Sequence, residues 1–284
     1  MTWIRQSIDK PSTLKAASDT LHQAAQYIPM AARHFIKEEA DDSHTNAEWI
    51  KSKNWLVGNL IDTSYGNVHV GLDYPLLVLL VCNENLEPIA EFELTGKTRL
   101  EGFNWLNNQL WKLGLETEKF NSDLHYELPD HPVLHGSTFE MEKPRHFLEL
   151  ANYRSNGHLL MLAATEQFED KSPLKIWPHH FDEGIIVNLK KEGDKVVSLL
   201  SMGMAIADKY YDQPYFYVNA WKESGIEYKE LPDIKGNGHW HQHEWTGQVL
   251  TADKFSSIID HNEQEEICNA FMKSAIENAI ALLE

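Results

Sequence analysis

The residues of this sequence best suited to chemistry are two groups of histidines in its C-terminal half. Five of the fifteen histidines fall in these groups. One group lies in the segment Trp177-Pro-His-His-Phe-Asp182, and the other in Gly238-His-Trp-His-Gln-His-Glu-Trp245. Imidazole can bind a metal ion, serve as a general acid or base near neutral pH, and be oriented by a neighbouring carboxylate. The sequence therefore predicts a histidine-lined site.

The second group has a spacing that suits a strand. Side chains alternate between faces at ~3.3 Å per residue, so His239, His241 and His243 would line one face with rings ~7 Å apart. Two such rings can converge on one ion at the Zn–N distance of ~2.0–2.1 Å. Three in a row on one straight strand rarely can. The candidate metal ligands are therefore His239, His241 and His243, for a divalent transition metal such as zinc, with two of them converging on the ion. The third ligand would then come from the first group, from His179, His180 or Asp182.

The first group predicts an acid–base pair. Pro178 favours extended backbone at Trp177, which is consistent with a strand or the entry to one. His180 and Asp182 would then share a face, and the carboxylate could fix the tautomer of the imidazole and raise its basicity. We predict His180 and Asp182 as catalytic residues, with His180 as the general base.

Aromatic residues near both groups could form the walls of a ligand pocket. The alternating aromatics around Tyr215 and Tyr217 are more typical of sheet packing than of a pocket. Three interpretations of the histidines stay open: packing residues, a metal-free pocket, or a metal site. For a pocket, the predicted ligand-binding residues are Trp177, His179, Tyr215, Tyr217 and Trp240.

The first half of the chain contains the elements of one α+β lobe. A helical period begins at Leu14 and is split by Pro29. Thr98-x-x-Glu101 is a capping box that opens another helix, and Gly114 is placed to end it. Three strand-like segments lie between these helices: Trp55 to Asp62, Val68 to Cys82 with an interruption at Pro75, and Ile89 to Thr95.

The second half repeats this order of elements. A helical pattern from Phe147 to Phe168 precedes the strand-like runs, and a final helix starts at about Asp260. Short turns between the runs favour antiparallel pairing, because parallel strands need a long crossover. The strand-like segments are Gly184 to Leu189, Lys195 to Ala205, Pro214 to Trp221 and Trp240 to Leu250.

We therefore predict an α+β fold: mainly antiparallel sheet with packed helices, as two similar α-βββ-α lobes. The lobes would be residues 1–135 and 136–284, packed as one compact unit, with the histidines in the second. Two short sequence matches between the halves are compatible with an internal duplication or with chance. Trp111-Lys-x-Gly-Leu-Glu116 resembles Trp221-Lys-x-x-Gly-Ile-Glu227 except for one inserted residue, and Glu-Leu-Pro-Asp ends at both Asp130 and Asp233.

Composition restricts the partners. A formal net charge of -18 opposes binding to a phosphate backbone, so we expect no nucleic acid partner. The longest apolar stretch, Leu76 to Cys82, is far short of the ~20 residues of a membrane helix, so we expect no membrane partner. Cys82 and Cys268 form no disulfide framework, and the first residues lack a signal-peptide pattern, which together predict the cytoplasm.

Several functional classes lack their sequence motif. The chain has no Gly-x-Gly-x-x-Gly after a strand, no Walker-type phosphate loop, no Gly-x-Ser-x-Gly elbow and no His-Glu-x-x-His. Phosphate-loop enzymes, serine hydrolases of that type and zincins are therefore unsupported. A site assembled from distant residues would leave no such motif.

The order of four segments resembles an uncharacterised bacterial family without an assigned activity. These are Trp177 to Asp182, Gly203 to Asp208, Gln213 to Tyr217 with Trp221, and Leu231-Pro232 followed by Gly238-His-Trp240. The resemblance covers residues 145 to 255 and departs from the pattern at Ala207, where glycine is expected. It implies that both histidine segments belong to one structural unit, and it implies no catalytic roles.

These observations predict a small-molecule-binding protein or an enzyme with a histidine-lined pocket in its C-terminal half. If it is an enzyme, such residues are compatible with a metal-dependent hydrolase or with another water-dependent transfer reaction. The alternative is a non-catalytic structural or interaction protein in which the histidines are packing residues.

Overall fold

The structure is a computed structural model that describes residues 3–8 and 10–284 of the chain. It divides into two compact units, each discontinuous in sequence. The N-terminal unit comprises Ala16–Ala151 and Ile176–Phe181. Of the described residues, the C-terminal unit comprises 3–8, 10–15, Asn152–Lys175 and Asp182–Glu284. Helices pack with antiparallel strands in both units, which confirms the predicted α+β fold.

The N-terminal unit is built around an antiparallel sheet. Its elements are α1 (Lys15–Ala25), α2 (Tyr27–Phe35), β1 (Ala47–Ile50), β2 (Trp55–Gly58), β3 (Val68–Asp73), β4 (Val78–Asn83), β5 (Pro88–Glu93), α3 (Arg99–Lys112), the start of α4 (Pro144–Thr165) and β6 (Lys175–Trp177). The strand order is β6-β1-β2-β3-β4-β5, and every neighbouring pair is antiparallel.

Two local features of this unit differ from the predictions. The helix break lies at Gln26, and Pro29 sits within the first turn of α2, where a missing N–H costs nothing. Strand β1 was not predicted, although Ala47 and Trp49 are buried and Glu48 is exposed between them. The predicted interruption near Pro75 is confirmed, because residues 74–77 form the turn between β3 and β4.

The capping box of α3 is confirmed. The Thr98 side chain accepts a hydrogen bond from the backbone N–H of Glu101, at 3.2 Å. The Glu101 carboxylate accepts in turn from the backbone N–H of Thr98, at 2.8 Å. These two bonds satisfy donors that the helix leaves unpaired. Gly114, with a φ of 83°, follows the last turn as predicted.

The C-terminal unit contains a second antiparallel arrangement of strands. Its remaining elements are β7 (Asp182–Glu192), β8 (Lys195–Ala205), β9 (Tyr215–Lys222), β10 (His239–His241), β11 (Gly247–Thr251) and α5 (His261–Ala281). The strand order is β7-β8-β9-β11-β10. Each unit therefore holds more strands than the three predicted for each lobe.

One face of the C-terminal sheet packs on helices. Met204 of β8 contacts α4 closely, since a Cβ on Gly157 would lie 3.1 Å from its side chain. Gln248 of β11 donates a hydrogen bond of 2.7 Å to the carbonyl of Ala275 in α5. Phe216 of β9 stacks on Phe255, with ring centroids 6.2 Å apart. This face is the buried core of the unit.

Residues from the start of the chain complete the C-terminal unit. The Gln264 side chain exchanges two 2.9 Å hydrogen bonds with the backbone of Gln6. The Asn156 side chain makes the same kind of double contact with Ile4, at 2.9 and 2.6 Å. An amide side chain that pairs with both backbone groups of one residue imitates a strand neighbour.

The two cysteines are free, buried thiols. Burial raises the pKa of Cys82 to about 11 and that of Cys268 well above its ordinary value. Both therefore stay protonated at neutral pH and behave as small apolar residues. Over the part of the chain that the structure describes, none of the helices has the length and apolar character needed to cross a bilayer.

We expect the substitution Thr98→Ala to lower the free energy of unfolding by about 1 kcal/mol, because it removes the N-cap acceptor of α3. Urea denaturation followed by far-UV circular dichroism measures this change. Thr117→Ala is the matched control, since the Thr117 hydroxyl makes no hydrogen bond among the described residues. An equal loss in both variants would contradict the capping role.

Candidate functional site

The second face of the C-terminal sheet carries polar and aromatic side chains, and we call it the polar face. Residues on a strand alternate between faces, so the neighbours of the core residues Met204, Phe216 and Gln248 point the other way. The polar face is formed by Asp182, Gly184, Gly203, Tyr215, Tyr217, Asn219, His239, His241 and Gly247.

The strand register shows how far apart these side chains lie. One row of paired residues crosses all five strands, from Gly184 through Gly203, Tyr217 and Val249 to His239. With strands ~4.8 Å apart, the backbones at the two ends of this row are about 19 Å apart. Asp182 lies on the same strand as Gly184, so it does not join His239 and His241 in one compact pocket.

The two histidines of β10 share a tyrosine that the sequence prediction did not include. The Tyr211 hydroxyl lies 3.1 Å from Nε2 of His239 and 2.9 Å from Nδ1 of His241. The Nε2 atom of His241 lies 2.7 Å from the backbone carbonyl oxygen of His243. Four residues thus form one continuous chain of hydrogen bonds.

The chemistry of the partners fixes the direction of this chain. A carbonyl oxygen only accepts, so Nε2 of His241 carries a hydrogen and Nδ1 of the neutral ring is a bare acceptor. Tyr211 therefore donates its hydroxyl hydrogen to His241. The Tyr211 oxygen must then accept from Nε2–H of His239. In neutral His239 this leaves Nδ1 as an unprotonated nitrogen, and it makes no hydrogen bond within the described residues.

The surroundings of His239 oppose its protonation. Burial lowers the pKa of His239 below its ordinary value, and the positive charge of Lys254 and the neighbouring His241 act in the same direction. Asp253 opposes this shift only in part. Burial and the Asp208 carboxylate raise the pKa of Tyr211 to about 12, so its hydroxyl keeps its hydrogen at neutral pH. His239 and Tyr211 are therefore neutral at pH 7.

Aromatic rings surround His241. Trp245 stacks on its imidazole, with centroids 4.1 Å apart and planes 25° apart. Tyr210 meets the same imidazole edge-on at 5.3 Å. Trp245 and Asn219 both pack against Gly247, where an added Cβ would clash with both side chains. These contacts hold the ring of His241 in one orientation.

Asp208 anchors the segment that carries Tyr211. Its Oδ1 atom accepts hydrogen bonds from the backbone N–H groups of Tyr210 and Tyr211, at 2.8 and 3.0 Å. Its Oδ2 atom accepts from the Tyr215 hydroxyl at 2.6 Å. Both carboxylate oxygens are thus engaged, and the position of Tyr211 depends on a tight turn built around one aspartate.

Asp182 has a different partner from the one predicted. Its Oδ2 atom accepts a hydrogen bond of 2.5 Å from Tyr217, while its Oδ1 atom is buried and accepts none. Tyr217 can lie flat across the sheet because Gly203 has no side chain, and a Cβ there would come 2.5 Å from the Tyr217 hydroxyl.

His179 and His180 belong to the N-terminal unit, and Asp182 belongs to the C-terminal unit. Residues 178–181 form a turn in which Phe181 is buried with a φ of 58°. The strand alternation behind the predicted His180–Asp182 pair therefore does not apply, because β6 ends at Trp177.

Within the N-terminal unit, this turn is held by its backbone. The Pro178 carbonyl oxygen lies 2.9 Å from Nε2 of His22 and 3.0 Å from the amide nitrogen of Gln26. His179 packs against Trp177 and Tyr126, with ring centroids 6.2 and 5.8 Å apart. His180 is exposed.

Two predicted residues of the second group lie outside the cluster around Tyr211. Strand β10 ends at His241, and Glu244 adopts a φ of 66° in the bend that follows, so His243 does not continue the strand face. The His243 side chain is 82% exposed. Trp240 lies on the opposite face of β10 and donates a 2.9 Å hydrogen bond to the Pro232 carbonyl.

These contacts do not fit a zinc site at His239, His241 and His243. Both ring nitrogens of His241 are already hydrogen-bonded, and His243 points to solvent. Within residues 3–8 and 10–284, no group of three or more His, Cys, Asp or Glu side chains is arranged to hold a metal ion. The structure gives the predicted metal site no support.

A histidine–carboxylate pair does exist, between residues that sequence reasoning missed. Nδ1 of His158 in α4 lies 2.6 Å from Oε1 of Glu183, whose side chain is only 1% exposed. The pair joins a helix to β7, on the face opposite Asp182. No local spacing signals such a contact, because it depends on how the helix packs.

Comparison with models of protein families, with curated proteins and with solved structures found no match. The resemblance to a bacterial family therefore stays a prediction, and the function must be inferred from the geometry alone.

We expect the substitution Gly203→Ala to lower the free energy of unfolding by about 1–3 kcal/mol through overpacking. The added methyl group would clash with the Tyr217 hydroxyl and with the backbone of Glu183. Urea denaturation measures the change. Gly184→Ala is the matched control, because its Cβ would lie 3.2 Å from the same hydroxyl. A control loss as large as that of Gly203→Ala would argue against this packing.

We expect His239 to titrate below the ordinary histidine value of about 6.5. The unfolded chain then binds more protons than the folded one between the folded pKa and pH 6.5. The free energy of unfolding therefore decreases as the pH falls through this window. Above pH 6.5, His239 has no effect on the free energy of unfolding. NMR titration of the imidazole protons, assigned with His239→Gln, measures the midpoint. A midpoint at or above 6.5 would disprove the expected shift.

Proposed function

We propose that this protein is an enzyme that acts on a small polar molecule, with His239 as its general base. The observation that carries the proposal is the directed hydrogen-bond chain from His239 through Tyr211 to His241. It leaves Nδ1 of a neutral, half-buried imidazole available to accept a proton. A general base needs this combination of tautomer, charge and partial access.

The same chain can move the charge away from the reacting molecule. When Nδ1 of His239 accepts a proton, its Nε2 hydrogen can pass to Tyr211 while Tyr211 passes its own hydrogen to Nδ1 of His241. His239 ends neutral, and His241 ends as an imidazolium that donates to Tyr211 and to the His243 carbonyl. Trp245 stacks on that ring and stabilises the positive charge through its π face.

The reaction class compatible with this arrangement is proton abstraction from water or from a polar substrate. Hydrolysis is the simplest example, and the general base would activate the water. Tyr211, His241 and Trp245 would act as positioning residues that fix the tautomer of His239. The cytoplasm stays the predicted compartment.

One observation favours a second candidate, a non-catalytic protein in which these residues are packing residues. Both ring nitrogens of His241 are bonded, and its ring is stacked, as expected of a histidine that only stabilises the loop after β10. The two functions differ at His239, because packing does not require its unprotonated Nδ1 to be available.

The test is the substitution His239→Gln, which keeps a donor for Tyr211 but removes the base. Thermal-shift screening against metabolites identifies a ligand, and product analysis identifies its conversion. We expect His239→Gln to lower kcat/KM for that ligand by about 10²–10⁴-fold, the usual contribution of a general base. The pH profile of the wild type should rise with a midpoint below 6.5.

His243→Gln is the matched control, since it changes an exposed imidazole in the same segment while leaving the backbone acceptor in place. We expect its activity to stay within about twofold of wild type. Loss of thermal stability in His239→Gln without any loss of turnover would instead support the non-catalytic alternative, in which His239 is a packing residue.

A further inference from the structure

We propose that the Asp182 carboxylate, beside the Tyr217 hydroxyl, is a binding site for a primary ammonium group. The site lies on the polar face of the C-terminal sheet, at the end away from β10. It requires neither the hydrogen-bond chain through Tyr211 nor the role of His239 as a general base.

The first observation is the incomplete bonding of the Asp182 carboxylate. Its Oδ2 atom accepts from the Tyr217 hydroxyl at 2.5 Å. Its Oδ1 atom is buried without a hydrogen-bond partner, and among the described residues no cationic side chain pairs with Asp182. A buried carboxylate oxygen without a hydrogen-bond donor is costly. Such a group is expected where a ligand supplies the missing donor and charge.

The second observation is the way the sheet positions Tyr217. Gly203 and Gly184 are direct neighbours in the register and lie in the same row as Tyr217. Because these glycines have no side chains, the Tyr217 ring can lie across them and reach Asp182. Burial and the Asp182 charge raise the pKa of Tyr217, so the hydroxyl stays a donor and does not add a second negative charge.

The chemistry of the site favours an ammonium group over a metal ion or a neutral hydroxyl. One available carboxylate oxygen cannot fill the coordination shell of a metal ion, whereas it pairs well with N⁺–H. The net charge of -18 also attracts cations to the protein.

The position of Oδ1 favours a primary ammonium over a quaternary one. The oxygen is buried, while the Asp182 side chain as a whole is half-buried. A primary ammonium presents three hydrogens on a small head group, whereas a tetraalkylammonium has no hydrogen to donate. The geometry therefore predicts a ligand that ends in an unsubstituted aliphatic amine.

The test uses n-butylammonium chloride as the probe, titrated at low ionic strength into the full chain and followed by NMR. We expect saturable binding that Asp182→Asn weakens by about 10-fold or more, since hydrogen bonds to charged groups contribute this much. Butan-1-ol and tetramethylammonium should bind at least about fivefold more weakly than butylammonium. Butanol binding as tightly as butylammonium would overturn the charge argument.

Three further variants make the result decisive. Asp194→Asn removes one exposed charge in the β7–β8 turn and should change the affinity less than about twofold. Tyr217→Phe keeps the ring and frees the carboxylate, so its affinity should equal or exceed that of wild type, even if Asp182→Asn folds poorly. His239→Gln should leave the affinity unchanged, which separates this site from the proposed enzyme function.

Two results would overturn the proposal. Equal weakening by Asp182→Asn and Asp194→Asn would show that only the overall charge attracts the probe. A 10-fold weakening by Tyr217→Phe, or no saturable binding by the wild type, would show that the Asp182–Tyr217 pair serves only to hold two strands together.

Discussion

The two faces of the C-terminal sheet impose the main constraint on this half of the molecule. Met204, Phe216 and Gln248 must face the helices, and strand alternation then sends Gly203, Tyr217 and His239 to the other side. A shift of one residue in any strand would exchange the two sets. The positions of the tyrosine that reaches Asp182 and of the histidines that contact Tyr211 therefore follow from the packing of the helix-facing core.

Much of the fold was predictable because its signals are local. Strand β8 runs from Lys195 to Ala205 as predicted, and the caps at Thr98 and Asp260 begin their helices. The bend after His241 was missed, because Glu244 adopts a left-handed conformation that glycine or asparagine usually signals. Strand β1 was missed because four residues give only one and a half cycles of alternation.

The candidate site was only partly predictable, and the reason is distance along the chain. The sequence pointed to His239 and His241, since two histidines with one residue between them share a strand face. It could not provide Tyr211, which comes from the segment between β8 and β9, about thirty residues earlier, and meets both rings only in the folded unit. The pairing of His180 with Asp182 relied on strand alternation, which the turn at residues 178–181 interrupts.

The contact between Gln6 and Gln264 has a consequence for biosynthesis. The two residues are 258 positions apart, and the first strands of the N-terminal unit need no partner beyond residue 181. On the ribosome, the N-terminal unit can form while the rest of the chain is still being made. Gln6 in the opening segment, in contrast, lacks its partner Gln264 until α5 has left the exit tunnel. Because loop closure over such a span is slow, the C-terminal unit should be the last part to mature.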